Sequence, residues 1–391
     1  MGEGSYQIAL HEPWLIGNTE RYLLECLKTN YVSSVGPFVI RFEEEFAAFV
    51  GARYAVATCN GTAAIHTALL VLGVGPGDDV LVSTFTFVAS VNPIRYQGAS
   101  PVLIDSEPRT WNMDPALVVA ELQTRAAAGR LPKAILVVHL YGHPADMDPI
   151  LEAAGRFGVP VVEDAAESLG ATHRGRAVGT LGRIGCYSFN GNKVITTGGG
   201  GMLVTNDPEL ARRARHLTTQ AKRPGLEYWH DDIGYNYRLT NLQAALGVAQ
   251  LEVLPSFLER KRQIAATYAE AFANVPGIRL LRQAEWAQSS WWLNCILVDQ
   301  DQCGTERVEL IEELEREGIQ ARPLWVPIHR LPIYADAERI GGAVAECLFL
   351  QGLSLPSSPS LTLDAQRRVI ECILARVRKC RCQGLPPVRS G

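Results

Sequence analysis

One lysine stands between an apolar run and a glycine run in residues 185–205, GCYSFNGNKVITTGGGGMLVT. The run reaches Tyr187-Ser188-Phe189, turns at Asn190-Gly191-Asn192, presents Lys193, and returns through Thr196-Thr197 into Gly198 to Gly201. This pattern reads as strand, tight loop, strand, with Asn and Gly supplying the unusual backbone angles of the loop. Consecutive glycines let the main chain pass close to something bulky. A lysine in a turn is ordinarily solvated. Here the short apolar flanks aim the amine where water is scarce, which favours its neutral form and lets it attack a carbonyl to form a Schiff base. A phosphate-binding loop is the competing chemistry, but no glycine lies five residues before Gly191 and no Ser or Thr follows Lys193, so the Walker pattern fails.

Three further stretches carry groups that such a lysine could use. Cys59-Asn60-Gly61-Thr62-Ala63-Ala64 ends an apolar run, and Asn60 can cap a helix whose free N–H groups would receive a phosphate. Plain capping explains it equally well. Ser83-Thr84-Phe85-Thr86-Phe87 offers an aromatic ring at the same edge, although a phenylalanine is more often core. Glu163-Asp164-Ala165-Ala166-Glu167 puts carboxylates directly after Val159-Pro160-Val161-Val162, where leaving them unpaired is costly. A buried aspartate there wants a cationic partner such as a protonated ring nitrogen; a salt bridge or cap is the alternative. The rival chemistry is a metal site on His139-Leu140-Tyr141-Gly142-His143 with Asp146 and Asp148. Gly142 and Pro144 break any helix that would align the histidines, and no general-base glutamate stands between them, so no metal is expected. In their order along one chain, the helix N-terminus, ring, aspartate and lysine specify pyridoxal 5′-phosphate.

The elements that must position these groups alternate. Apolar runs at 54–58, 79–83, 101–105, 134–140 and 159–165 are separated by helical stretches near 61–72, 87–97, 114–126 and 147–157. This is the pattern of a doubly wound, mainly parallel sheet, in which ligands bind beyond the carboxyl ends of the strands. Helices are also expected over 19–28 and 37–50, the latter with a core stripe of Phe38, Phe42, Phe46 and Phe49. A polar, aromatic loop at 217–236 precedes helices over 240–252 and 256–272. Beyond them, Thr305 reads as the N-cap of a helix over 305–317 with the stripe Val308, Ile311 and Leu314, ended by Gly318. A last helix over 363–379 carries Ile370, Leu374 and Val377.

The 391 residues allow a large core and two domains. Hydrophobic residues at 47% and charged ones at 20% exclude a disordered chain. A net charge of -4 leaves no electrostatic footprint for nucleic acid or an anionic membrane. MGEGSYQIAL has neither the basic and apolar regions of a signal peptide nor the spacing for myristoylation, and no apolar run approaches a membrane span. Nine irregularly spaced cysteines suggest reduced thiols and a cytoplasmic protein, and Cys380 with Cys382 lacks the second pair a zinc site needs.

At these residues the chain resembles the DegT/DnrJ/EryC1/StrS family of nucleotide-sugar aminotransferases over essentially its whole length. The likeness rests on NGTAAIHTAL (60–69), TFTFVAS (84–90), DSEP (105–108), HLYGHPADMD (139–148), EDAAESLG (163–170), SFNGNKVITTGGGGMLVT (188–205) and GYNYRLTNLQAALG (234–247). It implies an α/β protein of the aspartate aminotransferase-like PLP fold type I. Residues 1–253 would form a large domain with a mainly parallel seven-stranded sheet, and 254–391 a smaller C-terminal α/β domain. By resemblance, Lys193 is the Schiff-base lysine and Asp164 the partner of the ring nitrogen. Phe87 stacks on the cofactor, Gly61, Thr62, Ala63 and Ser188 cradle its phosphate, and Asn190 and Glu167 join the cofactor contacts. Glu167 stands where the family more often has Gln or His. Tyr237, Arg238 and His329 are expected near the substrate. Asn236 would reach the phosphate from the neighbouring subunit, implying a homodimer with shared sites. Relatives with histidine at the lysine position are sugar dehydratases, which Lys193 argues against.

The implied reaction moves an amino group from an amino acid, glutamate by the family's habit, to C4 of a nucleotide-linked 4-keto-6-deoxy sugar. The EDAAESLG and SFNGNKVITTGGGGM wording is similar to the branch making bacillosamine or legionaminic acid precursors from a UDP-linked N-acetylhexosamine. A GDP-linked 4-keto-6-deoxymannose is the alternative substrate. A catalytically idle relative with a binding role is the alternative class, which loss of Lys193 or Asp164 would have favoured.

Overall fold

The computed structural model describes residues 6–383, with side chains as far as Arg378. The N-terminal MGEGS and the side chains of Cys380 and Cys382 lie outside the described residues, and with them the expectations placed there. Cys26, Cys59, Cys186, Cys295, Cys347 and Cys372 are free thiols.

Runs rich in Val, Ile and Leu form the strands, because such side chains pack well on a sheet buried on both faces. In chain order these are β1 (Tyr54–Thr58), β2 (Asp79–Ser83), β3 (Ser100–Ile104), β4 (Ala134–Val138), β5 (Val161–Asp164), β6 (Ile184–Ser188) and β7 (Gly201–Thr205). The C-terminal part adds β8 (Ile278–Leu280), β9 (Asn294–Val298), β10 (Arg322–Pro323), β11 (Glu338–Ile340) and β12 (Gly352–Leu355). The main sheet runs β1-β7-β6-β5-β4-β2-β3-β11, and β8-β9-β12-β10 form a second sheet. Within the main sheet only β7 runs against its neighbours. The expected seven strands are thus present, and the C-terminal part supplies an eighth, β11, paired in parallel with β3.

Helices cover both faces: α1 (Thr19–Thr29), α2 (Pro37–Val50), α3 (Gly61–Val71), α4 (Pro115–Ala127), α5 (Met147–Phe157), α6 (Pro208–Thr218), α7 (Asn241–Phe272), α8 (Arg307–Arg316) and α9 (Leu363–Gln383). Strand alternation divides the core. Val80 and Val82 face α3 and α6, while Leu81 faces α4 and α5 on the opposite side. No described helix is long and apolar enough to cross a membrane.

Four local expectations change. The two helices expected around Pro255 are one, α7, opened by a capping box of Thr240 and Gln243. An internal proline costs about 3 kcal/mol, but Leu251, Leu254, Phe257 and Leu258 are buried on either side of it and hold the helix together. The boundary expected at 253/254 falls inside this helix. The helix expected over 87–97 is instead a turn at Val88–Ser90 and a short helix at Asn92–Tyr96, because Pro93 cannot donate back into a preceding turn. Phe38, Phe42 and Phe46 are buried four residues apart, whereas Phe49 steps off that line and is exposed. Glu306, not Thr305, caps α8, and Leu310 with Leu314 makes its buried face while Val308 is exposed.

Two buried side chains tie β11 to the sheet edge. Asp105 accepts hydrogen bonds from the N–H groups of Gly342, Val344 and Ala345 at 2.6, 3.1 and 3.0 Å. Arg125, 2% exposed, bonds Asp79, Glu121 and Glu338 at 2.5, 2.5 and 2.7 Å. Three carboxylates around one buried guanidinium leave no N–H fork idle, which is the condition for burying such a charge.

Candidate active site

The carboxyl ends of β1, β5 and β6 open into a cavity of about 450 Å³ that also reaches β10 and β12 of the second sheet. Its lower edge is the start of α3. The Asn60 side chain accepts the Ala63 N–H at 2.7 Å, and the Asn60 carbonyl accepts that of Ala64 at 3.2 Å. The N–H groups of Gly61 and Thr62 keep no acceptor among the described residues, as expected of a helix's first donors. A Cβ on Gly61 would lie 2.8 Å from the Ser188 Cβ, so only glycine lets β6 approach here. The Ser188 hydroxyl receives a single 3.4 Å bond from the Asn190 N–H and retains its own proton to donate. The glycine run has its reason as well: a Cβ on Gly201 would sit 2.5 Å from the Asn60 carbonyl.

Lys193 follows the turn after β6, its ammonium nitrogen 3.9 Å from the Trp292 ring centroid. Trp292 is pinned there at two points. Its indole N–H donates to the Asn192 carbonyl at 2.6 Å, and its own carbonyl accepts from Lys261 at 3.1 Å. Tyr141 and Trp325 continue the aromatic wall, 6.3 and 6.2 Å from Trp292. Burial lowers the Lys193 pKa, with Glu167 and Asp164 pulling it back up. Burial also raises Asp164, against the hydrogen bonds from Ser90 and the Ala166 N–H at 2.7 and 3.0 Å. Both donors are neutral, so a buried carboxylate faces the cavity without a cation bonded to it. Glu167 is likewise raised by burial, opposed by Lys193 and by the Tyr141 N–H at 2.7 Å. Phe87 is half exposed at the mouth, its ring 5.6 Å from that of Trp325.

The sequence profile of the DegT/DnrJ/EryC1/StrS aminotransferase family matches residues 15–374. The chain belongs to this family. EpsN of Bacillus subtilis, which is assigned by name to the pyridoxal phosphate-dependent aminotransferases, is 45% identical over 94% of this chain and 95% of its own length. The GDP-perosamine synthase of Caulobacter vibrioides is 42% identical over 94% and 97%. A solved DegT/DnrJ/EryC1/StrS aminotransferase from Brucella abortus superposes with a TM-score of 0.86 at 31% identity, covering 92% of this chain and 95% of that one. The expected fold type is therefore met, and so is the enzyme class.

The residues present fit the family's cofactor, pyridoxal 5′-phosphate, on three counts. Two free helix N–H groups and the Ser188 hydroxyl suit a phosphate. The uncompensated Asp164 suits a protonated ring nitrogen, and a buried lysine suits an aldehyde. Gly61, Thr62, Phe87, Asp164, Ser188 and Lys193 thus converge as the sequence led one to expect, with Glu167 and Asn190 beside them.

Other expected residues of this aminotransferase lie elsewhere. The Ala63 N–H is consumed by Asn60, which leaves Ala63 no free donor for the cradle. Arg238 is committed to Glu43 at 2.8 Å and to the Ala57 carbonyl at 3.1 Å, a structural pairing outside the cavity. Tyr237 stacks on Tyr235 and meets His66 at 3.2 Å, and His329 lies between Thr84 at 2.7 Å and Glu346 at 3.0 Å. Asn236 is exposed and does not line the cavity of its own chain. His139 and His143 do not converge. His139 joins Glu163 at 2.9 Å, and His143 bonds the Pro144 carbonyl at 2.7 Å. Glu163 also accepts N–H bonds from Gly179, Leu181 and Gly182, which answers the cost of burying it. Asp146 and Asp148 approach His173 instead, at 3.7 and 3.9 Å, with Arg174 paired to Asp148.

Sequence reasoning missed Ser90, Tyr141, Trp292, Arg322 and Trp325, all of which line the cavity. The Trp291-Trp292 pair was the one visible signal, since adjacent tryptophans cannot both point into a strand's core.

Proposed function

We propose that this aminotransferase moves the amino group of an amino acid, glutamate, onto C4 of a nucleotide-linked 4-keto-6-deoxyhexose in cytoplasmic sugar biosynthesis. The observation that carries it is the buried Lys193 amine opposite the buried Asp164 carboxylate, in one cavity with a free helix N-terminus. When bound, pyridoxal phosphate supplies an aldehyde that takes up amino groups and a ring that holds the electrons of a broken C–H bond. Lys193 is the residue that would hold that aldehyde, and its amine would move the proton at the donor α-carbon. Its lowered pKa serves both tasks, because a neutral amine is nucleophile and base alike. Asp164, held by Ser90 and Ala166, would keep a bound ring nitrogen protonated. Phe87 and Trp292 exclude water, and Glu167 offers a hydrogen bond beside Lys193.

The likeness to a GDP-perosamine synthase supports the GDP-linked 4-keto-6-deoxymannose, since perosamine is a 4-amino-4,6-dideoxy sugar. The UDP-linked N-acetylhexosamine rests on motif wording alone. Purified protein is expected to absorb near the visible edge and to aminate one keto-sugar of a GDP, UDP and dTDP panel, with the position of the amine read by NMR. Bound cofactor without amination of any keto-sugar would leave the idle-relative reading standing.

A homodimer with shared sites is part of the same proposal. Asn236 is exposed, on a loop that also exposes Leu226, Tyr228 and Ile233, apolar side chains suited to a partner copy. If Asn236 completes the partner's site, mixing inactive Lys193→Ala with inactive Asn236→Ala protein gives mixed dimers with one intact site. Activity should return on subunit exchange. Silence from demonstrated mixed dimers rejects the sharing, because each chain would then keep its own lesion.

A further inference from the structure

Away from the cavity, a buried histidine faces two carboxylates and bonds neither. His173 is 2% exposed, and its Nε2 makes no hydrogen bond among the described residues. Asp146 Oδ1 stands 3.7 Å from that nitrogen, and Asp148 Oδ1 stands 3.9 Å from Nδ1. Both gaps are too long for hydrogen bonds, and a buried polar atom without a partner is costly. Asp146 is idle as well. It occupies the N-cap position of α5, where an aspartate ordinarily accepts a backbone N–H, yet its side chain caps nothing. Asp148, in the first turn of that helix, gives only Oδ2 to Arg174, at 2.6 Å. One ligand atom from each of the three residues lies within 4.8 Å of the others, and none of the three lines the cofactor cavity.

We propose that Asp146, Asp148 and His173 bind a divalent metal ion, zinc by the chemistry of the set. Zinc takes imidazole nitrogen and carboxylate oxygen alike, at about 2.0–2.2 Å, so two ligand atoms on one tetrahedral ion stand about 3.3–3.6 Å apart. The 3.7 Å between Nε2 and Asp146 is close to that span, and the half-exposed Asp148 can turn its free Oδ1 inward. Water would complete the shell. Magnesium and calcium take oxygen alone and would leave the imidazole idle. A charged histidine shared by the two carboxylates is the competing account, but such pairs close to about 2.7–2.9 Å, and neither gap here does. Two carboxylates against the single charge of Arg174 also leave room for a dication. The ring is set in place beforehand. Its backbone pairs with Arg176 and with Ala287, and the Trp286 ring lies 5.0 Å away. The set uses neither His139 nor His143, whose spacing had argued against a metal, and draws its histidine from a separate hairpin. An ion there would fasten the start of α5 to a ribbon shared with the C-terminal part, so its effect falls on stability.

The test titrates EDTA-stripped holoenzyme with Co²⁺, which takes zinc's place and absorbs in the visible, thiolate ligands adding a sulfur charge-transfer band. One equivalent per chain should bind without that band, and Zn²⁺ should displace it. Zn²⁺ at about 100-fold excess over its Kd should also raise the thermal midpoint by several degrees. Asp146→Asn and His173→Gln should each weaken Co²⁺ binding about 10- to 100-fold or more, since even groups behind the ligands cost that much. Asp148→Asn, at an exposed position, carries the same expectation and keeps the result decisive should His173→Gln fail to fold. Wild-type protein that takes up no Co²⁺ overturns the proposal. So does uptake that all three substitutions leave unchanged, or uptake with a sulfur band, which would assign the ion to the cysteines.

Discussion

Lys193→Ala is expected to remove turnover to below detection, a fall of at least ~10⁴-fold, in a protein that folds normally. The size follows from the number of tasks that converge on one amine. In the proposed reaction it is the nucleophile toward the cofactor and the base at the donor carbon, and among the described residues no second lysine lines the cavity. Folding should survive, because the side chain makes no hydrogen bond or salt bridge among the described residues and its packing partner Trp292 is held independently by Asn192 and Lys261. Turnover on the preferred keto-sugar and the thermal midpoint would be measured together. Near-normal activity in the folded variant would reject the core of the proposed function.

Asp164→Asn should lose roughly 10²–10³-fold in rate while still holding cofactor, because a neutral amide cannot stabilise a charged ring nitrogen. The substitution is nearly isosteric, and Ser90 can turn its hydroxyl to accept from the new amide while donating to Thr86, 2.7 Å away. Stability should move in the opposite direction in cofactor-free protein. Burial raises the Asp164 pKa above its unfolded value, so the native state binds a proton more tightly than the unfolded one. Stability is then lost as the pH rises from the ordinary carboxylate range through the raised pKa, and the loss persists at neutral pH. Asparagine escapes this cost. Cofactor-free Asp164→Asn should therefore melt higher than cofactor-free wild type at neutral pH, with the gap closing in acid. A variant as fast as wild type would refute the assigned role, and a gap that widened in acid would refute the electrostatic account.

Half of the cavity was legible in the sequence because local geometry writes itself into residue type. Asn60 before Gly61, the glycines around Lys193, and acidic residues at the end of an apolar strand each reflect a constraint met within a few residues. The opposite wall was not legible. Tyr141, Trp292, Arg322 and Trp325 come from distant segments and meet only when the second sheet packs against the first. His329 and Arg238 are the converse: residue types suited to a substrate, whose partners Thr84, Glu346 and Glu43 could not be foreseen from spacing. Pro255 misled for a related reason, since a local breaking signal was outweighed by apolar burial along both halves of α7. The eighth strand was invisible because Glu338-Arg339-Ile340 has no apolar run, and its place is set by Asp105, just past β3, and by Arg125 of α4.

That last strand also governs how the chain can be cut. A fragment ending at the expected domain boundary would remove Glu338–Ile340 and strip β3 of its neighbour along Val102, Leu103 and Ile104. The bared backbone of an apolar strand is a template for pairing with another molecule. The same cut takes three N–H donors from the buried Asp105 and one carboxylate from the buried Arg125, leaving charge without partners at the new edge. The sheet that carries Lys193 and Asp164 is thus no autonomous module. Its outer seam is stitched shut by the last third of the polypeptide, so a ribosome must release that segment before the sheet is finished.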